Sequence, residues 1–179
     1  MKRAFRVLMM ERLQVQSRSP FEIHHILTGL EKTPQTTIEA ELFFPEGDGP
    51  FGCVIAHHGS KGWATHHQDH IDGWINAGME VCKVNSFAAR GIDSTVDDQL
   101  SVTHAMMLVD AFSTRSVLAQ DPRINKIGIA GWSLGGTVLC TRHGLLLSIF
   151  LGLHSMLICH SIQQLIFDQK SKIGRIHQF

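Results

Sequence analysis

Apolar and polar positions alternate first near the start of the chain. Leu13, Val15 and Ser17 are separated by polar residues, as on an exposed edge strand, until Ser19-Pro20 breaks the run. From Thr37 to Phe44 the alternation is cleaner, with Ile38, Ala40 and Leu42 facing one way and Glu39 and Glu41 the other. Pro45-Glu46-Gly47-Asp48-Gly49-Pro50 then supplies a turn. These patterns predict two antiparallel strands opening the domain. The rest of residues 1–35 has no readable period.

After the turn the texture changes. Cys53-Val54-Ile55-Ala56 is continuously apolar, as in a strand covered on both faces, and runs into the glycine-punctuated loop His57-His58-Gly59-Ser60-Lys61-Gly62. His66 to Ala77 carries Ile71, Trp74 and Ile75 at helical spacing, with Gly78 as its stop. Met79 to Val84 is a second buried strand, followed by the loop Asn85–Gly91. Ser94-Thr95-Val96-Asp97 resembles a capping box. Behind it Val96, Leu100, Met107, Ala111 and Leu118 share a stripe that predicts one long helix to about Gln120, ended by Asp121-Pro122-Arg123. Lys126 to Ala130 is the third buried strand. Strands and helices alternating at these lengths imply right-handed crossovers, so the fold class is α/β, with a mostly parallel sheet and helices on both faces.

The third buried strand ends in Gly131-Trp132-Ser133-Leu134-Gly135, with Gly136 behind it, and opens a helix-compatible segment. This is the strand–turn–helix setting of a nucleophile elbow. A serine there adopts strained backbone angles, its neighbours must be glycines, and its hydroxyl stands clear at a helix N-terminus. Read alone, Gly-x-Ser-x-Gly could equally be a glycine-rich turn with an incidental serine. Nucleophilic use of Ser133 also needs a base, a group orienting that base, and donors for an oxyanion. One donor is the backbone N–H of Leu134. The second should come from the loop after the first buried strand, from Ser60 or, failing that, Lys61.

Four segments together resemble the dienelactone hydrolase family of α/β-hydrolases. They are Ala56-His57-His58-Gly59-Ser60, Val84–Gly91, Asp121-Pro122-Arg123-Ile124 and Gly131-Trp132-Ser133-Leu134-Gly135-Gly136. They occur in family order across roughly residues 37–140. The resemblance implies a hydrolase acting on a small ester or lactone, without a cofactor, and places Arg90 near the site to face a substrate carboxylate. An exposed loop arginine or a structural ion pair is the other reading of Arg90. The family often uses a cysteine nucleophile. Ser133 in its place points to a more general carboxylic-ester hydrolase.

Beyond the elbow the pattern departs from the family, whose triad follows the order Ser, acid, His. Asp168 is the only acidic residue after Ser133, and His143, His154, His160 and His177 sit in no recognisable catalytic loop. Upstream, His57 should point into the core and His58 should lie in the oxyanion loop. Residues 1–140 therefore read as the N-terminal part of an α/β-hydrolase domain truncated after the elbow. Residues 141–179 read as an atypical apolar tail, not a separate domain. Impaired catalysis follows, and so does a second reading: a non-catalytic fragment or pseudoenzyme. The uncovered sheet edge and apolar surface would favour self-association.

Composition narrows the field. At 179 residues and a net charge of +0, the chain suits one domain, and no charge excess argues for nucleic acid or an anionic membrane. His143 to Phe167 lacks Asp, Glu, Lys and Arg and is long enough to span a bilayer, but its histidines, glutamines and serines oppose that reading. Glu11 and Arg12 end the first apolar stretch too early for a signal peptide, and unpaired cysteines in apolar runs suit a reducing cytoplasm. A metal-dependent alternative remains in Thr65-His66-His67-Gln68-Asp69-His70. His66 and His70 have the i, i+4 spacing of helical zinc ligands, with His67 and Asp69 beside them, although Thr65 stands where a metallohydrolase motif has its first histidine.

Overall fold

A computed structural model of the chain describes residues 9–143. The two opening strands, β1 (Met9–Arg18) and β2 (Gln35–Phe44), pair antiparallel with Val15 opposite Ile38. Between them lie a short helix, α1 (Ile23–Gly29), and a 3-10 turn over Leu30–Lys32, in a stretch where the sequence shows no period. Next come β3 (Phe51–His57), α2 (Thr65–Asn76), β4 (Met79–Asn85), α3 (His104–Leu118), β5 (Ile124–Gly131) and α4 (Leu134–His143).

The five strands form one sheet in the order β1-β2-β4-β3-β5. β3 runs parallel to both β4 and β5, whereas β2 is antiparallel to β1 and to β4. Among the described strands the sheet is mixed, with β2 alone running against the direction shared by β1, β3, β4 and β5. Only the strands joined through α2 and α3 must run the same way, and β1 and β2 are not joined by such crossovers. The class remains α/β, with helices on both faces.

Burial explains the continuous apolar runs of β3 and β5. On one face, Cys53, Ile55, Cys82, Val84, Ile127 and Ile129 pack with Met107, Ala111 and Leu118 of α3 and Val138 of α4. On the other, Val54, Ala56, Val81 and Ala130 meet Ile71, Trp74 and Ile75 of α2. Both faces are covered, so both side-chain phases must be apolar. At about 25 cal/mol per Å² of apolar area removed from water, these two layers supply the main term favouring the fold.

One predicted helix boundary is wrong. The helix starts at His104, not in the Ser94–Asp97 stretch, because Thr103 is the N-cap: its Oγ1 accepts the Met106 N–H at 3.3 Å. Ser94 to Val102 is a loop whose small polar side chains satisfy local backbone groups: Ser94 Oγ accepts from Val96 N–H, and Asp98 Oδ1 from Leu100 N–H. Val96 (48%) and Leu100 (64%) are exposed, so the apolar stripe across 96–118 was partly coincidental. The Thr95 N–H donates to Ser60 O at 2.8 Å and docks this loop on the segment after β3.

At the opposite end of the sheet Arg123 closes the α3–β5 turn. Its guanidinium bonds both Glu11 oxygens (2.9 and 3.0 Å) and Asp121 (2.6 Å), and it stacks over Phe44. The Asp121-Pro122-Arg123 segment is thus a structural clamp, far from the elbow. No helix among the described residues is long and apolar enough to cross a membrane. The uncharged run, the tail beyond His143, and His154, His160, Asp168 and His177 lie outside the described residues.

Candidate active site

Ser133 is the one non-glycine residue with positive φ (51°) among the described residues. It joins the end of a buried parallel strand to the first residue of α4, and its side chain is exposed. The turn can be this tight only because its neighbours lack side chains. A Cβ on Gly131 would collide with the Gly135 carbonyl, and one on Gly135 would collide with the carbonyls of His57 and His58. These are backbone obstacles that no rotamer change relieves. The Gly135 approach also locks the elbow against the end of β3, where Trp132 N–H donates to His57 O at 3.1 Å.

The loop after β3 lies beside the serine. An ideal Cβ on Gly59 would stand 3.2 Å from Ser133 Cβ. Ser60 spends its hydroxyl on Gln99 Oε1 (3.2 Å), and its carbonyl accepts from Thr95 N–H and Ser94 Oγ. Among the described residues no acceptor takes the backbone N–H of Ser60 or of Leu134. The first N–H groups of a helix have no intrahelical partner, which accounts for Leu134 and leaves a positive helix end beside the serine. Lys61 is exposed on the same loop.

The two upstream histidines have different environments, and neither bonds Ser133. His57 is fully buried with both ring nitrogens unpartnered, and burial pushes its pKa down to about 3, so it stays neutral in the core. His58 is also buried. Its Nε2 accepts the Ser86 N–H at 3.3 Å, which assigns the proton to Nδ1, and Nδ1–H donates to Gly59 O at 2.9 Å. Burial lowers its pKa as well.

The structure corrects Arg90 as a substrate ligand. Nη1 and Nη2 form a bidentate pair with Asp110 (2.8 and 3.1 Å), in which the aspartate is 0% exposed. The guanidinium also donates to Ser86 O (2.7 Å), Ser19 Oγ (3.0 Å) and Arg18 O (3.3 Å). Its donors are turned inward and taken, so the ion-pair reading holds. Ser17 Oγ completes the cluster by donating to Asp110 Oδ1 at 2.6 Å. Asp110 was missed from sequence, although a lone acid among Met106, Met107, Leu108, Val109 and Ala111 was the signal available.

Among the described residues, no group of three or more His, Cys, Asp or Glu side chains is arranged to hold a metal ion. His67 is buried, with Nδ1 accepting the Ala64 N–H at 2.9 Å at the start of α2, and burial plus the neighbouring His66 lower its pKa to about 4. His66 lies tilted against His67, while His67 and His70 lie against Trp132. Asp69 is exposed on the helix. The three histidines belong to an aromatic packing layer with Trp63 and Trp132.

No family model matches this chain, and no curated protein matches it. Solved structures do resemble it. The carboxylesterase EstE1, cloned from a metagenomic library, is 15% identical with a TM-score of 0.50, over 78% of this chain and 43% of that one. An esterase of Pyrobaculum calidifontis is 16% identical with a TM-score of 0.50, over 78% of this chain and 42% of that one. At these identities the likeness shows the fold, that of the α/β-hydrolases. The chain spans less than half the length of either structure.

Proposed function

We propose that this chain carries the nucleophile and oxyanion half of a serine-dependent carboxylic-ester hydrolase site, of dienelactone hydrolase type. The observation that carries the reading is Ser133 itself, strained at φ 51°, exposed, and seated where a buried parallel strand meets a helix N-terminus. Strain at one polar residue, in a turn whose flanking glycines cannot be replaced, is what a nucleophile elbow requires. Ser133 Oγ would attack the ester carbonyl, and the N–H groups of Leu134 and Ser60 would hold the developing oxyanion. Such donors act because they are fixed before the charge forms. The substrate class is a small ester or lactone. The free, buried thiols of Cys53 and Cys82 suit a reducing cytoplasm.

No histidine among the described residues bonds Ser133, so its hydroxyl has no base there. A serine without a base is a weak nucleophile at neutral pH. With the described groups alone acylation is slow, and p-nitrophenyl acetate turnover should stay well below the ~1 s⁻¹ of working enzymes. The same observation favours the second reading, a non-catalytic member of the fold.

A fluorophosphonate distinguishes the two. Incubated with the 179-residue chain, it should add once, at Ser133, by intact mass and peptide mapping, and not to Ser133→Ala. Ser60→Pro, which removes the N–H, should react about 10²–10³-fold more slowly than Ser60→Ala, the usual effect of losing one oxyanion donor. Labelling that ignores Ser133→Ala, or no labelling at all, leaves the non-catalytic reading.

A further inference from the structure

The Ser60 N–H belongs to the peptide unit whose oxygen is Gly59 O. In a trans peptide the N–H and C=O point in opposite directions, so whatever holds the oxygen also aims the hydrogen. Gly59 O is held twice, by His58 Nδ1–H at 2.9 Å and by Gly62 N–H at 3.0 Å. In the neutral ring of His58, Nδ1 donates only while Nε2 is the acceptor, and that role is imposed by Ser86 N–H. The Ser86 residue is pinned on its other side, where its carbonyl, part of the following Ser86–Phe87 peptide, accepts Arg90 Nη1–H at 2.7 Å, and Arg90 is anchored by the buried Asp110 carboxylate.

We propose that Arg90 is a positioning residue for the oxyanion donor: through Ser86 and His58 it fixes the Gly59–Ser60 peptide with its N–H on the side away from the core, where Gly59 abuts Ser133. This rests on the reading of Ser60 as an oxyanion donor. It explains why a loop arginine is buried with all its donor groups engaged rather than facing solvent. Asp110 of α3, the Arg18 carbonyl at the end of β1 and Ser19 just after it hold the guanidinium, and Ser17 Oγ of β1 holds Asp110.

The test compares the wild-type chain with Arg90→Gln and with the double variant Arg90→Met/Asp110→Leu. Removing one partner strands a buried charge and can unfold the protein, whereas replacing both with apolar residues is often neutral. Two readouts are taken on each folded sample: the tautomer of His58 from the long-range ¹H–¹⁵N spectrum of its ring, assigned with His58→Gln, and the rate of fluorophosphonate labelling at Ser133. Wild type should show the Nδ1–H tautomer. In the double variant that signature should give way to a mixture, and labelling should slow about tenfold, with the unfolding midpoint near that of wild type. A purely structural role would move the midpoint and leave the tautomer alone. A folded double variant with unchanged tautomer or unchanged labelling rate overturns the proposal. Wild type that is not labelled at Ser133 instead overturns the hydrolase reading itself, so the two failures are distinct.

Discussion

Glu80 offers a measurement of how the sheet handles a buried charge. It stands at the start of β4, opposite Cys53, 0% exposed, with both carboxylate oxygens unpartnered. Burial, reinforced by Asp121, raises its pKa from 4.5 to about 7. A carboxyl whose folded pKa is raised binds its proton more tightly in the native state. Its contribution to stability is full below pH 4.5 and is lost as pH rises through 7. At about 1.4 kcal/mol per pH unit, moving from pH 5 to pH 8.5 should remove ~2–3 kcal/mol, a large share of a domain's total stability. Glu80→Gln has no proton to lose. Urea unfolding of wild type and variant at both pH values isolates the term, because every other titrating group is common to the pair. The variant's stability relative to wild type should rise by ~2–3 kcal/mol between pH 5 and pH 8.5. A relative stability independent of pH, or one that falls, would falsify the assignment of Glu80 as a buried, neutral acid.

Three further outcomes follow. His57 has the opposite sign: its pKa is depressed to about 3, so its contribution is present above 6.5 and lost in acid. His57→Leu should therefore remove about 2 kcal/mol of the stability difference between pH 7.5 and pH 5, read by the same urea titration. Thr103→Ala deletes the α3 N-cap and should cost about 1 kcal/mol, whereas Ser94→Ala, at the apparent capping box, should cost less. Gly135→Ala drives a methyl into the carbonyls of His57 and His58. It should destabilise the fold and abolish labelling of Ser133 in whatever remains folded, while Gly73→Ala, in open space on α2, should be tolerated.

Where local physics decides the outcome, the amino-acid order alone was sufficient. Alternation marked β1 and β2, apolar runs marked β3 and β5, the Met79–Val84 stretch marked β4, and Gly78 ended α2, because side-chain phase and backbone freedom are properties of a few adjacent residues. The elbow was legible for the same reason: glycine, serine and glycine at fixed spacing after a buried strand leave few backbone solutions. Tertiary structure decided the rest. The start of α3 depended on whether Ser94 or Thr103 supplied the cap, and docking of the 94–102 loop on Ser60 took Ser94 away from that role. Arg90 could face substrate or core until Asp110, Ser19 and Arg18, distant in sequence, were brought around its guanidinium. The tautomer of His58, and with it the aim of the Ser60 N–H, was set by one amide on the neighbouring strand's loop. Such polar roles are invisible in the sequence because a hydrogen bond's partner is chosen by the fold, whereas an apolar residue needs only to be buried somewhere.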